Sequence, residues 1–181
     1  MSRILVLIGS SRHGGNTEML ARSFAEGART RHEVELLSVA DLQVSPCRGC
    51  NACSTSEGHA CAQRDDMDQV YEKLHWADTL ILASPVYFYG LSAQLKAVID
   101  RLHTPMRNGF SVRRLGLILA GAAVLPDLFD PILLQYRMAL RFFKLSDAGR
   151  VLVSGVREKG DVRNGDGLTR AYEMGCNLRE E

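Results

Sequence analysis

The feature that most constrains the fold of this 181-residue chain is a short apolar run followed at once by a glycine-containing loop, which occurs twice. Residues 4–8 lead into the loop 9–17, and residues 80–83 lead into the loop 84–90. An apolar run of this length without polar alternation is typical of a strand that is covered on both faces of a parallel sheet. Helices connect such strands, so the first loop stands where a strand gives way to a helix N-terminus.

Five segments are predicted strands, and helical patterns lie between or after them. The predicted strands are residues 3–8, 33–38, 79–83, 115–120 and 150–154. Capping residues followed by apolar positions at helical spacing predict helices that begin near Asn16 or Thr17, near Asp65 or Asp66, at Ser92, at Pro131 and at about Gly167. This alternation predicts an α/β fold, with a parallel sheet sandwiched between two layers of helices. Ligands of such folds bind at the carboxyl ends of the strands, where both glycine loops fall.

The composition is that of one globular domain, which we expect to span residues 1–181. Apolar residues make up 46% of the chain and charged residues 24%, and the net charge is +1. The sequence has no concentrated basic face, which argues against nucleic acid as a partner. The longest apolar stretch, residues 115–125, is too short to span a bilayer, and the N-terminus lacks a signal-peptide pattern. We therefore expect a cytoplasmic location and no membrane partner.

The loop after the first strand, Gly9-Ser-Ser-Arg-His-Gly-Gly-Asn-Thr17, is a candidate phosphate site. It has the glycine spacing of a P-loop, but Gly15-Asn16 replaces the lysine and hydroxyl residue that bind a triphosphate and its magnesium. What remains is a set of short donors and backbone N–H groups at a helix N-terminus, which suits a single terminal phosphate. The alternative interpretation is an ordinary strand–helix loop with a Ser or Thr cap.

The loop after the third strand, Ser84-Pro-Val-Tyr-Phe-Tyr-Gly90, carries more apolar surface than a solvent-exposed turn normally does. A rigid proline, aromatic side chains and backbone donors together suit a cleft that grips a flat heterocycle. The alternative is that these aromatic residues pack against the core or a neighbouring subunit. Taken together, a loop for one phosphate and a loop for a planar ring predict that the chain binds flavin mononucleotide (FMN).

The motifs in combination resemble those of a known family. They are Gly9-Ser-Ser-Arg-x-Gly-x-Asn-Thr, Pro46-Cys-x-Gly-Cys-x-x-Cys, Asp65-Asp-Met and Ser84-Pro-Val-Tyr-Phe-x-x-x-Ser-Ala-Gln-Leu-Lys-Ala-Val-Ile-Asp-Arg101. Over roughly the first 100 residues this set resembles the NAD(P)H-dependent FMN reductase group of flavodoxin-fold proteins. The cysteine segment is most similar to the iron–sulfur flavoprotein branch of that group. The resemblance implies a flavodoxin-like fold, a five-stranded parallel sheet of order 2-1-3-4-5, and FMN as cofactor.

The resemblance also implies which residues hold FMN. The phosphate would be surrounded by Ser10, Ser11, Arg12, Asn16 and Thr17. The isoalloxazine ring would lie along Pro85, Val86, Tyr87, Phe88 and Gly90, with Gly121 carried over from a third loop. No catalytic side chain is expected, because the chemistry belongs to the flavin. Similar proteins form dimers or tetramers, so we expect a homodimer or homotetramer, with interface surface offered by Ile132, Leu133, Tyr136, Phe142 and Phe143.

Four cysteines, Cys47, Cys50, Cys53 and Cys61, form the pattern C-x2-C-x2-C-x7-C. Compact spacing of this kind lets sulfurs converge on a [4Fe–4S] cluster, which the iron–sulfur branch also implies. A zinc ion with His59 as a substitute ligand is a second interpretation. Free thiols that stay reduced or form a reversible disulfide are a third.

The predicted function is that of an FMN-dependent oxidoreductase. It would take hydride from NADH or NADPH as co-substrate and pass electrons to a quinone, a free flavin or another small acceptor. The alternative is a flavin or iron–sulfur electron-transfer protein without nicotinamide-driven turnover of its own.

Overall fold

A five-stranded parallel sheet forms the centre of the computed structural model, which describes residues 1–179. The strand order is β2-β1-β3-β4-β5, and every neighbouring pair is parallel, so the predicted topology is confirmed. The strands are β1 (Arg3–Ile8), β2 (Glu33–Ser38), β3 (Thr79–Pro85), β4 (Arg114–Ala120) and β5 (Ser146–Val153). The strand order reverses beside β1 and β3, so their carboxyl ends flank the crevice where ligands bind in folds of this kind.

Helices connect the strands and cover both faces of the sheet. They are α1 (Asn16–Ala28), α2 (Ala52–Thr55), α3 (Met67–Trp76), α4 (Ala93–Arg101), α5 (Asp130–Phe143) and α6 (Gly167–Cys176). Along β1, Leu5 and Leu7 pack with α3, α4 and α5, whereas Ile4 and Val6 pack with α1 and α6. This alternation follows the two-residue period of a strand, and burial on both sides explains the uninterrupted apolar run in the sequence.

The sequence predicts some element boundaries correctly and others not. Ser92 caps α4, where its hydroxyl accepts a hydrogen bond from the Leu95 N–H at 3.4 Å, as predicted. The predicted capping of α1 is wrong, because Gly15 is the N-cap residue and no side chain caps that helix. Asp66 stands at the N-cap of α3, but its side chain makes no capping bond. Strand β5 begins at Ser146 rather than at residue 150.

Helices α1 and α6 approach each other closely because glycines stand at their contact. A Cβ at Gly27 would lie 2.1 Å from the carbonyl oxygen of Tyr172, and one at Gly175 would lie 2.2 Å from that of Phe24. Gly175 is buried, as the helical spacing predicts, whereas Tyr172, expected on the same face, is 39% exposed. The contact fixes α6, and with it the segment that links β5 to α6, beside α1 and its N-terminal loop.

Candidate functional site

Loops that follow β1, β3 and β4 lie side by side at the carboxyl edge of the sheet. The Gly9 N–H donates to the carbonyl oxygen of Ala83 at 2.8 Å, and the Val86 N–H donates to that of Ala120 at 2.9 Å. The Gly121 N–H continues this ladder towards β5. Because the ladder extends beyond the strands, it fixes the two glycine loops of the sequence next to each other.

The loop between β1 and α1 presents unpaired backbone donors at the start of a 13-residue helix. Six backbone N–H groups of residues 9–18 find no acceptor within the described residues 1–179, namely those of Ser10, Ser11, His13, Asn16, Thr17 and Glu18. Gly14 has a φ of 62°, a conformation that favours glycine and lets the chain turn into the helix. The side chains of Ser10 and Thr17 are buried, and those of Ser11 and Arg12 are exposed. Free N–H groups and the positive end of the helix dipole make this loop suitable for an anion.

Glu18, in the first turn of α1, stabilises this loop. Its carboxylate accepts hydrogen bonds from the Gly14 N–H and from Nε of Arg22, both at 2.7 Å. Burial works to raise the pKa of Glu18, but the hydrogen bonds from Gly14 and Arg22 outweigh it and lower that pKa below its usual value. The carboxylate is therefore ionised at neutral pH, and the Gly14 N–H is committed to it rather than to an incoming anion.

Asn16 uses its side chain to hold the segment that follows β5. Its Nδ2 donates to the carbonyl oxygen of Glu158 at 2.8 Å, and its Oδ1 accepts from the Gly160 N–H at 3.0 Å. The side-chain amide is thus engaged within the protein. Only the backbone N–H of Asn16 stays available to a phosphate.

The same segment brings cationic residues to the phosphate loop, and these residues are not among those that the motifs assign to the phosphate. The Cβ position of Gly14 lies 3.1 Å from Nζ of Lys159, and Nη1 of Arg12 donates to the carbonyl oxygen of Arg157 at 3.3 Å. The signal in the sequence is Val156-Arg-Glu-Lys-Gly160, which follows a strand at the same edge of the sheet. Lys159 adds positive charge where the unpaired N–H groups gather.

The aromatic loop is a tight hairpin with a strained tip. Tyr87 and Gly90 exchange two backbone hydrogen bonds of 3.0 Å, and the residues between them, Phe88 and Tyr89, have φ angles of 49° and 63°. Two left-handed central residues are the pattern of a type I′ turn, which normally takes Asn and Gly. Phe88 is 99% exposed. Strain of this kind is concentrated at functional sites, where the surrounding structure holds it.

The base of the hairpin is tied to neighbouring elements. Pro85 ends β3, and the Ser84 hydroxyl accepts a hydrogen bond from the Ser92 N–H at 3.0 Å, which links the hairpin to the start of α4. Gly121 is buried, and a Cβ there would lie 2.7 Å from Leu128. Packing against Leu128 by itself accounts for a glycine at that position.

The donor chemistry at this edge of the sheet fits FMN. Unpaired N–H groups with a nearby ammonium suit a phosphate monoester. Exposed aromatic surface beside them suits a flat ring. Both sets of residues that the sequence assigns to FMN lie at this edge, and their contact with the cofactor stays a prediction.

The four cysteines lie on a segment between β2 and α3, and hydrogen bonds join the two ends of this segment. The Gln43 N–H donates to Oδ2 of Asp66 at 2.8 Å, and the Ser45 N–H donates to Oδ2 of Asp65 at 3.0 Å. The thiols are free and line one cavity of about 800 Å³. Among residues 1–179, no three His, Cys, Asp or Glu side chains are grouped closely enough to hold a metal ion. Metal ligation would therefore require these thiols to draw together.

A buried arginine stands in the wall of this cavity. Arg101 is 3% exposed, and its Nη1 lies 2.7 Å from each carboxylate oxygen of Asp65. Its Nε and Nη2 are buried without a hydrogen-bond partner. Burial works to lower the pKa of Arg101, but Asp65 outweighs it and raises that pKa on balance. A buried cation with unfilled donors beside four thiols fits an anionic group held by the cysteines.

Comparison with known proteins is consistent with this geometry. A family model described as NADPH-dependent FMN reductase matches residues 2–126. An iron–sulfur flavoprotein of Methanocaldococcus jannaschii is 41% identical over 124 residues, which cover 67% of this chain and 63% of that protein. The chain thus spans less than two thirds of the length of this relative.

Other similar proteins align over nearly the whole chain. An FMN-dependent NADH:quinone oxidoreductase of Pseudomonas aeruginosa is 28% identical over 213 aligned residues, covering 98% of this chain and 96% of that protein. The solved structure of an NAD(P)H:quinone oxidoreductase from Methanothermobacter marburgensis has a TM-score of 0.78 at 15% identity, covering 99% of this chain and 98% of the other, which shows a shared fold. Within the described residues, no helix has both the length and the apolar character to cross a membrane. Because the family model covers more than half of the chain, this protein belongs to the NADPH-dependent FMN reductase family.

Proposed function

We propose that this protein binds FMN at the carboxyl edge of its sheet and acts as an oxidoreductase. It passes electrons from NADH or NADPH to a small acceptor such as a quinone or a flavin. The observation that carries the proposal is that backbone hydrogen bonds hold the phosphate loop beside the aromatic hairpin. Membership of the FMN reductase family and a full-length relative named as an FMN-dependent oxidoreductase support it.

The loop between β1 and α1 would hold the phosphate of FMN. Its unpaired backbone N–H groups would donate to the phosphate oxygens. The side chains that would surround the phosphate are those of Ser10, Ser11, Arg12, Thr17 and Lys159. Asn16 contributes its backbone N–H, since its side chain is bonded to the segment after β5.

The hairpin after β3 would hold the flavin ring along Pro85, Val86, Tyr87, Phe88 and Gly90, with Gly121 at the base of the neighbouring loop. When bound, FMN supplies hydride acceptance and onward electron transfer. The aromatic side chains provide apolar surface that excludes water from the face of the ring. Tyr87 and Tyr89, which are 46% and 47% exposed, are placed for contact with a substrate.

The FMN proposal is tested by titrating the protein into FMN and following the flavin fluorescence. A Ser11→Asp variant places a carboxylate at the phosphate position, so its Kd for FMN should rise at least about tenfold, or about 1.4 kcal/mol. The matched control is Ser146→Asp, which adds the same charge at an exposed position at the start of β5, the opposite edge of the sheet. Fluorescence that stays unchanged when wild-type protein is added would contradict the proposal.

The nicotinamide step is tested separately on the FMN-loaded protein. Anaerobic stopped-flow mixing with NADH and with NADPH should bleach the flavin absorbance with at least one of them. If neither nucleotide bleaches it while FMN stays bound, the electron-transfer protein without turnover of its own is the better description.

We also propose that Cys47, Cys50, Cys53 and Cys61 hold a [4Fe–4S] cluster. The thiols line one cavity, a buried arginine with unfilled donors lies in its wall, and a 41% identical relative is named an iron–sulfur flavoprotein. Iron, sulfide and zinc analysis of anaerobically prepared protein tests this. Iron should be lost in a Cys47→Ser/Cys50→Ser variant and retained in Cys176→Ser. Zinc, or no metal at all, would favour the other two interpretations.

We further propose that the protein is a homodimer or homotetramer that associates through α5. Ile132 and Tyr136, which the sequence assigns to an interface, are instead buried in the core. The exposed face of α5 carries Leu134, Met138 and Phe142, each more than half exposed and spaced by one helical turn. A stripe of large apolar residues in water is typical of a surface that another protein covers.

A further inference from the structure

Two buried arginines of the described chain differ in how their donors are used. Arg114 is 7% exposed, and each of its side-chain nitrogens donates to the protein, the acceptors being the hydroxyls of Thr79 and Ser2 and the carbonyl oxygen of Arg179. Arg101 is 3% exposed, but its Nη1 alone has partners, while its Nε and Nη2 have none. A buried charged donor without an acceptor loses its hydration and gains nothing in return, so native proteins rarely leave one unused.

The groups around Arg101 indicate which of them could accept hydrogen bonds from its Nε and Nη2. Asp65 already binds Nη1 and accepts from the backbone N–H groups of Ser45 and Met67. The Tyr71 hydroxyl donates to the carbonyl oxygen of Arg101 at 3.1 Å. Cys61 lines the same cavity as Arg101, and its thiol is free and half-buried. A thiol is a weak acceptor, whereas a metal-bound thiolate is a strong, negatively charged one.

We propose that Arg101 is a positioning residue for the metal group of the cysteine segment, and that its Nε and Nη2 donate to the sulfur of Cys61 once that sulfur is ligated. The inference rests on the cluster proposed above. On ligation the thiol proton leaves to solvent and the sulfur becomes an anion. The guanidinium then has two anionic partners, Asp65 and the thiolate, and the four thiolates have a buried counter-charge.

This arrangement has an electrochemical consequence. Reduction adds negative charge to a cluster, and both hydrogen bonds to its sulfurs and a nearby cation stabilise that charge. Arg101 should therefore raise the reduction potential. Its loss should shift the equilibrium between oxidised and reduced cluster about tenfold towards the oxidised form, which is about 59 mV for one electron.

The test uses full-length protein reconstituted anaerobically with iron and sulfide, and it measures iron per chain and the midpoint potential. Arg101→Lys keeps the charge but loses the forked donor geometry. Arg101→Met combined with Asp65→Asn removes both charges, so no unpaired carboxylate stays behind. We expect the midpoint potential to fall from wild type to Arg101→Lys, and further in the double variant. The matched control, Arg114→Lys, alters a buried arginine whose donors are all used, and it should leave the potential unchanged.

The possible results distinguish the role of Arg101 from the proposed cluster and from the proposed FMN site. If the Arg101 variants hold as much iron as wild type at the same potential, Arg101 has only a structural role and the inference is wrong, while the cluster stands. If wild type binds FMN but no iron, the cluster proposal fails and the inference fails with it, while FMN binding stands. If a variant binds FMN normally but loses iron, Arg101 is needed to hold the group, which supports the inference. If the double variant fails to fold, as FMN titration and circular dichroism would report, Arg101→Lys decides the question.

Discussion

At the scale of single residues, the pair Asp65 and Arg101 links chemistry to stability. Burial works to raise the pKa of Asp65, but hydrogen bonds from Arg101 and from the Ser45 and Met67 N–H groups outweigh it and lower that pKa below its ordinary value. A carboxyl whose pKa is lower in the folded than in the unfolded state stabilises the fold at neutral pH. That contribution is lost as the pH falls through the folded-state pKa.

We expect Asp65→Asn to lower the free energy of unfolding by about 3 kcal/mol at pH 7, because it leaves the buried Arg101 charge unpaired. The difference from wild type should begin to shrink as the pH falls below about 4, the ordinary pKa of an aspartate. It should vanish only below the lowered pKa of the folded Asp65 carboxyl, where the wild-type side chain is also protonated. Urea unfolding at several pH values measures this. Asp68→Asn removes an exposed carboxylate in the first turn of α3, three residues along the chain, and should change the stability by less than about 0.5 kcal/mol at any pH. A difference between Asp65→Asn and wild type that is independent of pH would contradict the interpretation.

At the scale of elements, backbone geometry decides two features that side-chain patterns do not reveal. The close contact of α1 with α6 depends on the absence of a Cβ at Gly27 and Gly175. The hairpin tip depends on Phe88 and Tyr89 accepting left-handed conformations that their side chains disfavour. The first feature stabilises the fold, whereas the second destabilises it at the proposed ring site.

Gly175→Ala should destabilise the protein by about 2 kcal/mol. In an exposed helix, a Gly-to-Ala exchange raises the free energy of unfolding by up to about 1 kcal/mol. Here we expect a decrease, because the new Cβ would collide with the carbonyl oxygen of Phe24. Chemical denaturation measures the effect. Gly165→Ala is the matched control, since that glycine has an ordinary φ of −139° and open space around its Cβ position. A Gly175→Ala variant as stable as wild type would show that the helices separate at little cost.

Phe88→Asn should raise the free energy of unfolding of the FMN-free protein by about 1 kcal/mol, because Asn is favoured at this turn position. Phe88 is 99% exposed, so replacing it removes almost no buried apolar surface. Thermal or chemical unfolding measures the gain. Phe88→Ala removes the ring without relieving the strain and should not be stabilised. If FMN also binds more weakly to Phe88→Asn, the strained aromatic tip serves the cofactor at the expense of the fold.

At the scale of the whole molecule, the parallel topology gathers segments that are distant in the chain at one edge of the sheet. Residues 9–17, 84–90 and 155–162 meet there because every strand ends on the same side. The same topology leaves α5 at the surface with an apolar stripe facing outward. Met138 and Phe142 of this stripe also line the cavity of the four cysteines, so the proposed association surface borders the proposed cluster site and lies apart from the proposed FMN site.

Met138→Glu should reduce the molecular mass in solution, because a carboxylate in the centre of the α5 stripe cannot be buried without a partner. Sedimentation velocity measures this. Gln135→Glu adds the same charge at an exposed polar position of the same helix and should leave the mass unchanged. Wild-type protein that sediments as a monomer would contradict the proposed oligomer.

Local patterns in the amino-acid sequence predict the strands of the sheet and the positions of the loops that follow them. β1 lies at the predicted residues, because a strand buried on both faces leaves an unbroken apolar run. β2 also lies at the predicted residues, although it is an edge strand whose sequence carries Glu33 and Glu35. The Ser92 cap is predicted for a similar reason, since a capping bond joins neighbours in the chain. Strand order and the family came from motifs in combination, and the structure and the family model confirm them.

Contacts between side chains that are distant along the chain become visible only in the folded molecule. Asn16 looks like a cap or a phosphate ligand in the sequence, yet its amide bonds to residues more than 140 positions away. Arg101 ends an ordinary amphipathic helix, yet it pairs with Asp65 and keeps unfilled donors beside the cysteines. Local patterns record the conformation of a segment and the faces that it buries. Hydrogen bonds between distant segments depend on the three-dimensional positions of both partners, which no local pattern contains.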